Sequence, residues 1–89
     1  MEEMLGTVKR FAGSFVPRGY HDCDGSMLPI NQWQALFAIL GTQYGGDGQT
    51  RFALPDLRDK DRHGRPIPFG SNGRPRWIIS VFGEFPQRP

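Results

Sequence analysis

The clearest hydrophobic pattern in the chain lies between Asn31 and Gly41. Trp33, Leu36, Phe37 and Leu40 fall at i, i+3, i+4 and i+7, the spacing that puts side chains on one face of a helix. Asn31 reads as the N-cap, and Gln34 three residues on completes a pair of capping-box type. Gly41 closes the element at the position where left-handed backbone is common. A helix over about 31–41 is too short to stand alone in water, so its apolar face must pack on something. The second strong pattern is the unbroken run Trp77-Ile78-Ile79-Ser80-Val81-Phe82, ended by Gly83. Its β-branched and aromatic content predicts a strand over about 77–82, buried on both faces.

Other elements are shorter. Thr7 to Phe11 predicts a strand anchored by Val8 and Phe11, although its alternation is poor. Ser14-Phe15-Val16-Pro17-Arg18-Gly19 reads as a turn, because proline presets φ and glycine accepts a positive one. Tyr20 to Cys23 reads as a short strand. Asp24-Gly25 is a two-residue hairpin signal that would return the chain as Ser26-Met27-Leu28. From Thr42 to about Pro68 no regular element is predicted, and a stretch of that length implies a loop that is functional or ordered by partners. The sum is one α+β domain spanning 1–89, with short strands and a hairpin, one helix, long ordered loops and a C-terminal buried strand.

Composition sharpens this picture. A chain of 89 residues makes one domain. At that size roughly 60–65% of the unfolded surface is buried, so the core is marginal. Gly 12 and Pro 8 mark a loop-rich chain that still falls short of low complexity. Cys23 is the only cysteine, which excludes an intrachain disulfide. Met1 to Gly6 is acidic and lacks an apolar run, so neither a signal peptide nor a membrane span is expected, and synthesis in the cytoplasm is. The formal charge of +2 permits an anionic partner without demanding one.

The middle of the chain carries a series of unusual residues in order. They are Phe11-Ala12-Gly13, Pro17-Arg18-Gly19-Tyr20, Cys23-Asp24-Gly25 and Leu40-Gly41-Thr42-Gln43-Tyr44-Gly45-Gly46-Asp47-Gly48. Phe52-Ala53-Leu54-Pro55-Asp56-Leu57-Arg58 completes the series. In this order and spacing they resemble the phage tail collar domain, found also in bacterial proteins described as microcystin-dependent. The likeness covers Gly6 to Arg58 and resumes at about Trp77 to Arg88, where Gly83-Glu84-Phe85-Pro86 follows the apolar run. Longer relatives carry a large insert between these blocks, where this chain has only Asp59 to Arg76. Tyr20 stands where tryptophan is usual, and Asp59 where glycine usually follows Leu-Arg.

Read for chemistry, most of these motifs point to structure. Tyr44-Gly45-Gly46-Asp47-Gly48 lacks the spacing, the Lys-Ser/Thr and the preceding strand of a phosphate loop. It also lacks the alternating acids of a calcium loop. Its glycines read as backbone geometry, with Asp47 accepting from neighbouring N–H groups. In Leu54-Pro55-Asp56-Leu57-Arg58, Pro55 extends Leu54, Asp56 accepts backbone bonds, and both leucines would pack inward. His21-Asp22-Cys23-Asp24 offers a His21/Cys23 pair on one strand face, too few ligands for a zinc site. Cys23 reads as buried under the hairpin and His21 as solvated. Some phage short tail fibres hold metal through histidines in this region, but no His-x-His is present, so no metal residue and no cofactor is assigned. The candidate binding residues are Arg58, Lys60, Arg62, Arg65, Arg74 and Arg76, set against Asp59 and Asp61. Guanidinium groups suit the phosphates and carboxylates of surface glycans. The competing reading is a solvated loop with internal ion pairs. Cys23, Gly25, Tyr44, Gly45, Gly46, Asp47, Gly48, Pro55 and Asp56 are the candidate structural motif.

The resemblance implies a structural and adhesive part of a phage tail or tail-like particle, located in the virion tail. It implies a homotrimer that contacts other tail or baseplate proteins and host lipopolysaccharide or another anionic glycan. No nucleic-acid signature is present, and no membrane insertion is expected. A small adaptor or cap on another tail protein is the alternative, since the tip is short. An enzyme acting on envelope polysaccharide is a further one. A raised pKa at Asp22, Asp24, Asp47 or Asp56 would mark it, but the sequence places no two of these carboxylates together, and the chain is not expected to be an enzyme.

Overall fold

The computed structural model describes residues 3–86. The elements in chain order are β1 (Val8–Phe11), β2 (Tyr20–Asp22), β3 (Met27–Pro29), α1 (Gln34–Leu40), β4 (Arg51–Ala53) and β5 (Arg76–Ser80), with a tight turn at Ser71–Gly73 before β5. The α+β class expected from the sequence holds. Two antiparallel sheets carry it, one of three strands in the order β1-β5-β2 and one of two, β3-β4.

β5 is the central strand of the larger sheet. Val8 to Phe11 face Ile79 to Arg76 on one side, and Tyr20, His21 and Asp22 face Ser80, Ile79 and Ile78 on the other. Two neighbours in register explain why consecutive residues are covered: Ile78 and Ile79 are fully buried and Ser80 nearly so. The strand itself is Arg76–Ser80 and not 77–82. Val81 stays buried beyond it, while Phe82 turns out to solvent. β1 forms where expected, but Val8 is exposed and Phe11 half-buried, because an edge strand is covered on one side only.

The predicted hairpin at Asp24-Gly25 does not form. β2 and β3 flank it, yet they belong to different sheets. The chain leaves β5 at Cys23, passes through Gly25 at φ 79, and pairs as β3 with β4. The Asp-Gly step thus moves the chain from one sheet to the next. The missing partner lay in the stretch read as irregular: β4 is a three-residue strand, too short for any periodicity to register.

The helix starts later than its capping pattern predicts. Trp33 occupies the N-cap without a side-chain bond, and turns at Pro29–Gln32 and Ile30–Trp33 precede it. The apolar face is the expected one, with Leu36 and Leu40 buried and Trp33 and Phe37 packed against the core. Gly41 ends the element, its N–H bonded to the Phe37 carbonyl. The core joins Leu5, Cys23, Leu28, Leu36, Leu40, Phe52, Leu54, Ile79 and Val81, so every element except β1 and β2 supplies a side chain to one cluster.

Candidate functional site

Cys23 is where the two sheets meet. Its N–H donates to the Trp77 carbonyl in one, and its carbonyl accepts from Leu57 N–H at the margin of the other, each at 2.9 Å. The ladder continues as Gly25 N–H to Pro55 carbonyl and Leu54 N–H to Ser26 carbonyl. The Cys-x-Gly and Leu-Pro-Asp-Leu-Arg segments are therefore two rails of one backbone ladder. Gly25 lies against Asp56, so that a side chain there would meet Asp56 Cβ at 3.3 Å. The Cys23 thiol is fully buried, and burial first, then the charges of Asp22 and Asp24, pushes its pKa up to about 12. Leu54 is buried as expected, whereas Leu57 points outward, because the rail that it ends lies at the surface.

Asp47 organises the glycine loop. Its Oδ1 accepts from the N–H groups of Gln49, Thr50 and Arg51 at 2.8–3.0 Å, and Oδ2 accepts from Thr50 Oγ1 at 2.7 Å. The bond from Arg51 N–H, followed by those from Thr50, holds its carboxyl far below the usual carboxylate range. Gly46, at φ 104, brings its backbone so close to β4 that a Cβ would sit 2.5 Å from both Arg51 O and Phe52 Cα. Gly45 accepts from Ala53 N–H, which seats this loop on the free edge of β4. Tyr44 is exposed beside it.

The six candidate basic residues do not form one patch. Arg58 is bidentate on Asp56, Nε to Oδ1 at 2.9 Å and Nη2 to Oδ2 at 2.8 Å. That pairing lowers the Asp56 pKa and raises the Arg58 one. Arg76 lies in the sheet, its Nε on Asp22 Oδ1 at 3.0 Å and its Nη1 on the Gly13 carbonyl at 3.1 Å. Arg74 approaches Asp59 at 3.7 Å. Lys60, Arg62 and Arg65 remain exposed, with no side-chain hydrogen bond or ion pair among the described residues.

Those three sit on an ordered tip that the sequence did not reveal. Ile67 N–H bonds to Asp59 O at 2.7 Å and Asp61 N–H to Arg65 O at 2.9 Å, with Lys60 bridged to Pro66 between them. Asp61 Oδ1 closes the end by accepting from His63 and Arg65 N–H. The signal was in the sequence as Asp61-x-x-Gly64, an aspartate-led turn hidden inside a charge run. Asp59 needs no left-handed backbone here: among the described non-glycine residues only Asn72 has a positive φ.

A third surface also escaped the sequence. Met4 bridges to Glu84, and Leu5 N–H donates to the Glu84 carbonyl, so the two terminal segments run side by side. Met4 and Phe85 are 53% and 52% exposed there, and Phe82, 66% exposed in the same terminal segment, packs its ring beside Trp33 at 5.5 Å. An open groove of about 560 Å³ lies among Met4, Glu84, Phe85 and Pro86. Arg88, in the second block of the resemblance, lies outside the described residues. No described helix is long and apolar enough to cross a membrane, and no three His, Cys, Asp or Glu side chains among the described residues converge as a metal site.

Residues 6–61 match the phage tail collar domain, well over half of the chain. The protein belongs to that family, a family of phage tail structural components. No curated protein and no solved structure matches it.

Proposed function

We propose that this protein is an assembly unit of a phage tail or tail-like particle. It associates as a homotrimer and docks onto neighbouring tail or baseplate proteins through the Met4–Phe82–Phe85 end. The observation that carries this reading is the exposure of Met4 and Phe85 around one open groove, with Phe82 exposed in the same terminal segment. Monomeric proteins seldom leave such surface bare, and contiguous exposed apolar area marks interaction sites. Association would also support a marginal core by mass action.

We assign contact with an anionic host glycan, such as lipopolysaccharide, to Lys60, Arg62 and Arg65. Arg58, Arg74 and Arg76 are engaged by Asp56, Asp59 and Asp22 and are left out of that contact. The enzymatic alternative would need a raised pKa, whereas Asp47 and Asp56 are both shifted down by the bonds they accept.

Light scattering on the native protein tests the assembly. A trimer that dissociates on Phe82→Ser with Phe85→Ser supports it. A monomer at micromolar concentration removes self-association and leaves the adaptor reading, in which the same end seats on another tail protein. Loss of lipopolysaccharide binding in the Lys60, Arg62 and Arg65 alanine variant tests the tip.

A further inference from the structure

A shallow groove of about 200 Å³ runs between Asp22, Asp24, Arg58, Pro68, Phe69 and Arg76. It differs from the basic tip in being charge-balanced, with two carboxylates and two guanidiniums around one aromatic ring. Each charged group is already held. Arg76 is fixed by Asp22 and the Gly13 carbonyl, Arg58 by Asp56, and Asp24 Oδ1 by Ser26 N–H and Oγ at 3.1 and 2.5 Å. In each, one polar atom makes no hydrogen bond among the described residues: Asp22 Oδ2, Asp24 Oδ2, Arg58 Nη1 and Arg76 Nη2. Two fixed acceptors and two fixed donors therefore border a half-buried phenyl ring.

We infer that this groove binds a neutral sugar ring of a glycan. Hydroxyl groups both donate and accept, so a pair of adjacent hydroxyls can donate to the aspartates while accepting from the arginines, and the apolar C–H face of a pyranose can lie on Phe69. A free anion is disfavoured, because the two carboxylates cancel the attraction of the guanidiniums. The volume falls below that of drug-sized pockets and fits a single ring. A second groove of about 250 Å³ shares Asp22 and Asp24 and is lined on its far side by Tyr20 and His21, which gives room for a second ring. Because the polar groups are fixed in advance, little ordering cost attends binding. The inference deepens the host-surface contact proposed above, and rests on it only for the source of the sugar.

The test is an amide NMR titration of the ¹⁵N-labelled full chain. The ligands are methyl glycosides of glucose, galactose and mannose, then lactose and maltose, with glucuronate as the acidic control. We expect at least one neutral sugar to bind on the order of 1 mM, shifting the amides of Asp24, Arg58, Phe69 and Arg76, and a disaccharide to bind more tightly than its monosaccharide. Asp24→Asn keeps the Oδ1 acceptor that serves Ser26 but replaces the free oxygen with a donor, and should weaken binding roughly tenfold. Phe69→Ala should weaken it as well, while Arg62→Ala with Arg65→Ala should leave it unchanged. Absence of shifts with every neutral sugar overturns the inference. So do shifts that survive both Asp24→Asn and Phe69→Ala, and so does binding of glucuronate alone. A silent titration of a trimeric chain would remove this site and leave the assembly reading; binding by a monomer would do the reverse.

Discussion

Asp22 and Arg76 meet diagonally across two neighbouring strands of the three-stranded sheet. Asp22 stands opposite Ile78 on β5, and Arg76 is the next residue along β5 on the same face. Their side chains are only 20% and 14% exposed, and the Arg76 Nη1 bond to Gly13 ties the loop after β1 over that face. Arg76→Ala leaves Asp22 without its partner in a mostly covered site, which should cost about 2 kcal/mol. Urea unfolding measures it, and a double-mutant cycle with Asp22→Asn should return a coupling near that size. A cost within error of zero would mean that the pair is solvated.

Asp47 predicts an acid-sensitive loop. Its folded-state pKa is depressed by the N–H groups that it accepts, so its contribution is full above the ordinary carboxylate pKa of about 4 and is lost as pH falls below that value. Asp47→Ala should lower the urea midpoint at pH 7, and the gap to the parent should narrow as pH is lowered below about 4. A gap independent of pH would contradict the assignment.

Cys23 predicts the opposite slope at the alkaline end. Its thiol ionises in the unfolded chain near pH 8.5 but is pushed up to about 12 in the fold. Stability is therefore complete below about pH 8.5 and falls as the unfolded chain gives up its proton above it. A thiol reagent at pH 8 should label the native protein far more slowly than the unfolded one. Cys23→Ala should flatten the alkaline decline. Rapid labelling of native protein would place the thiol at the surface.

Gly46 and Gly25 both have positive φ, but they differ in what lies nearby. Gly46→Ala drives a methyl group into the backbone of β4 at 2.5 Å and should cost more than about 3 kcal/mol or prevent folding. Gly25→Ala meets Asp56 Cβ at 3.3 Å, an approach that a shift of a few tenths of an ångström relieves, and should cost about 1–2 kcal/mol. Thermal unfolding of the two variants should rank them in that order.

What the sequence made legible follows from how far each signal reaches. The helix face and β5 were legible because a run of apolar residues records burial directly. The start of the helix was not, since Trp33 rather than Asn31 ends in the cap and the turns before it leave no local mark. β4 was missed because three residues carry no period, and its partner β3 lies across the whole helix. The Asp24-Gly25 step carried a true turn signal, but a turn does not say which sheet the next strand joins. Of the six basic residues, Arg76 looked like part of a charge run until its partner 54 residues away came into view. The exposure of Phe82 and Phe85 could not be read at all, since an aromatic residue in sequence looks the same whether it fills a core or caps one.

The ladder beneath Arg62, His63 and Gly64 makes that tip a place for grafting. Its rungs lie between Asp59 and Ile67, below the turn, so residues added at the turn need not disturb the frame. Loop closure adds only about 0.6 kcal/mol for each doubling of length. One footing of this kind can carry heads of very different sizes, so the exposed tip can diversify while the frame beneath it stays fixed.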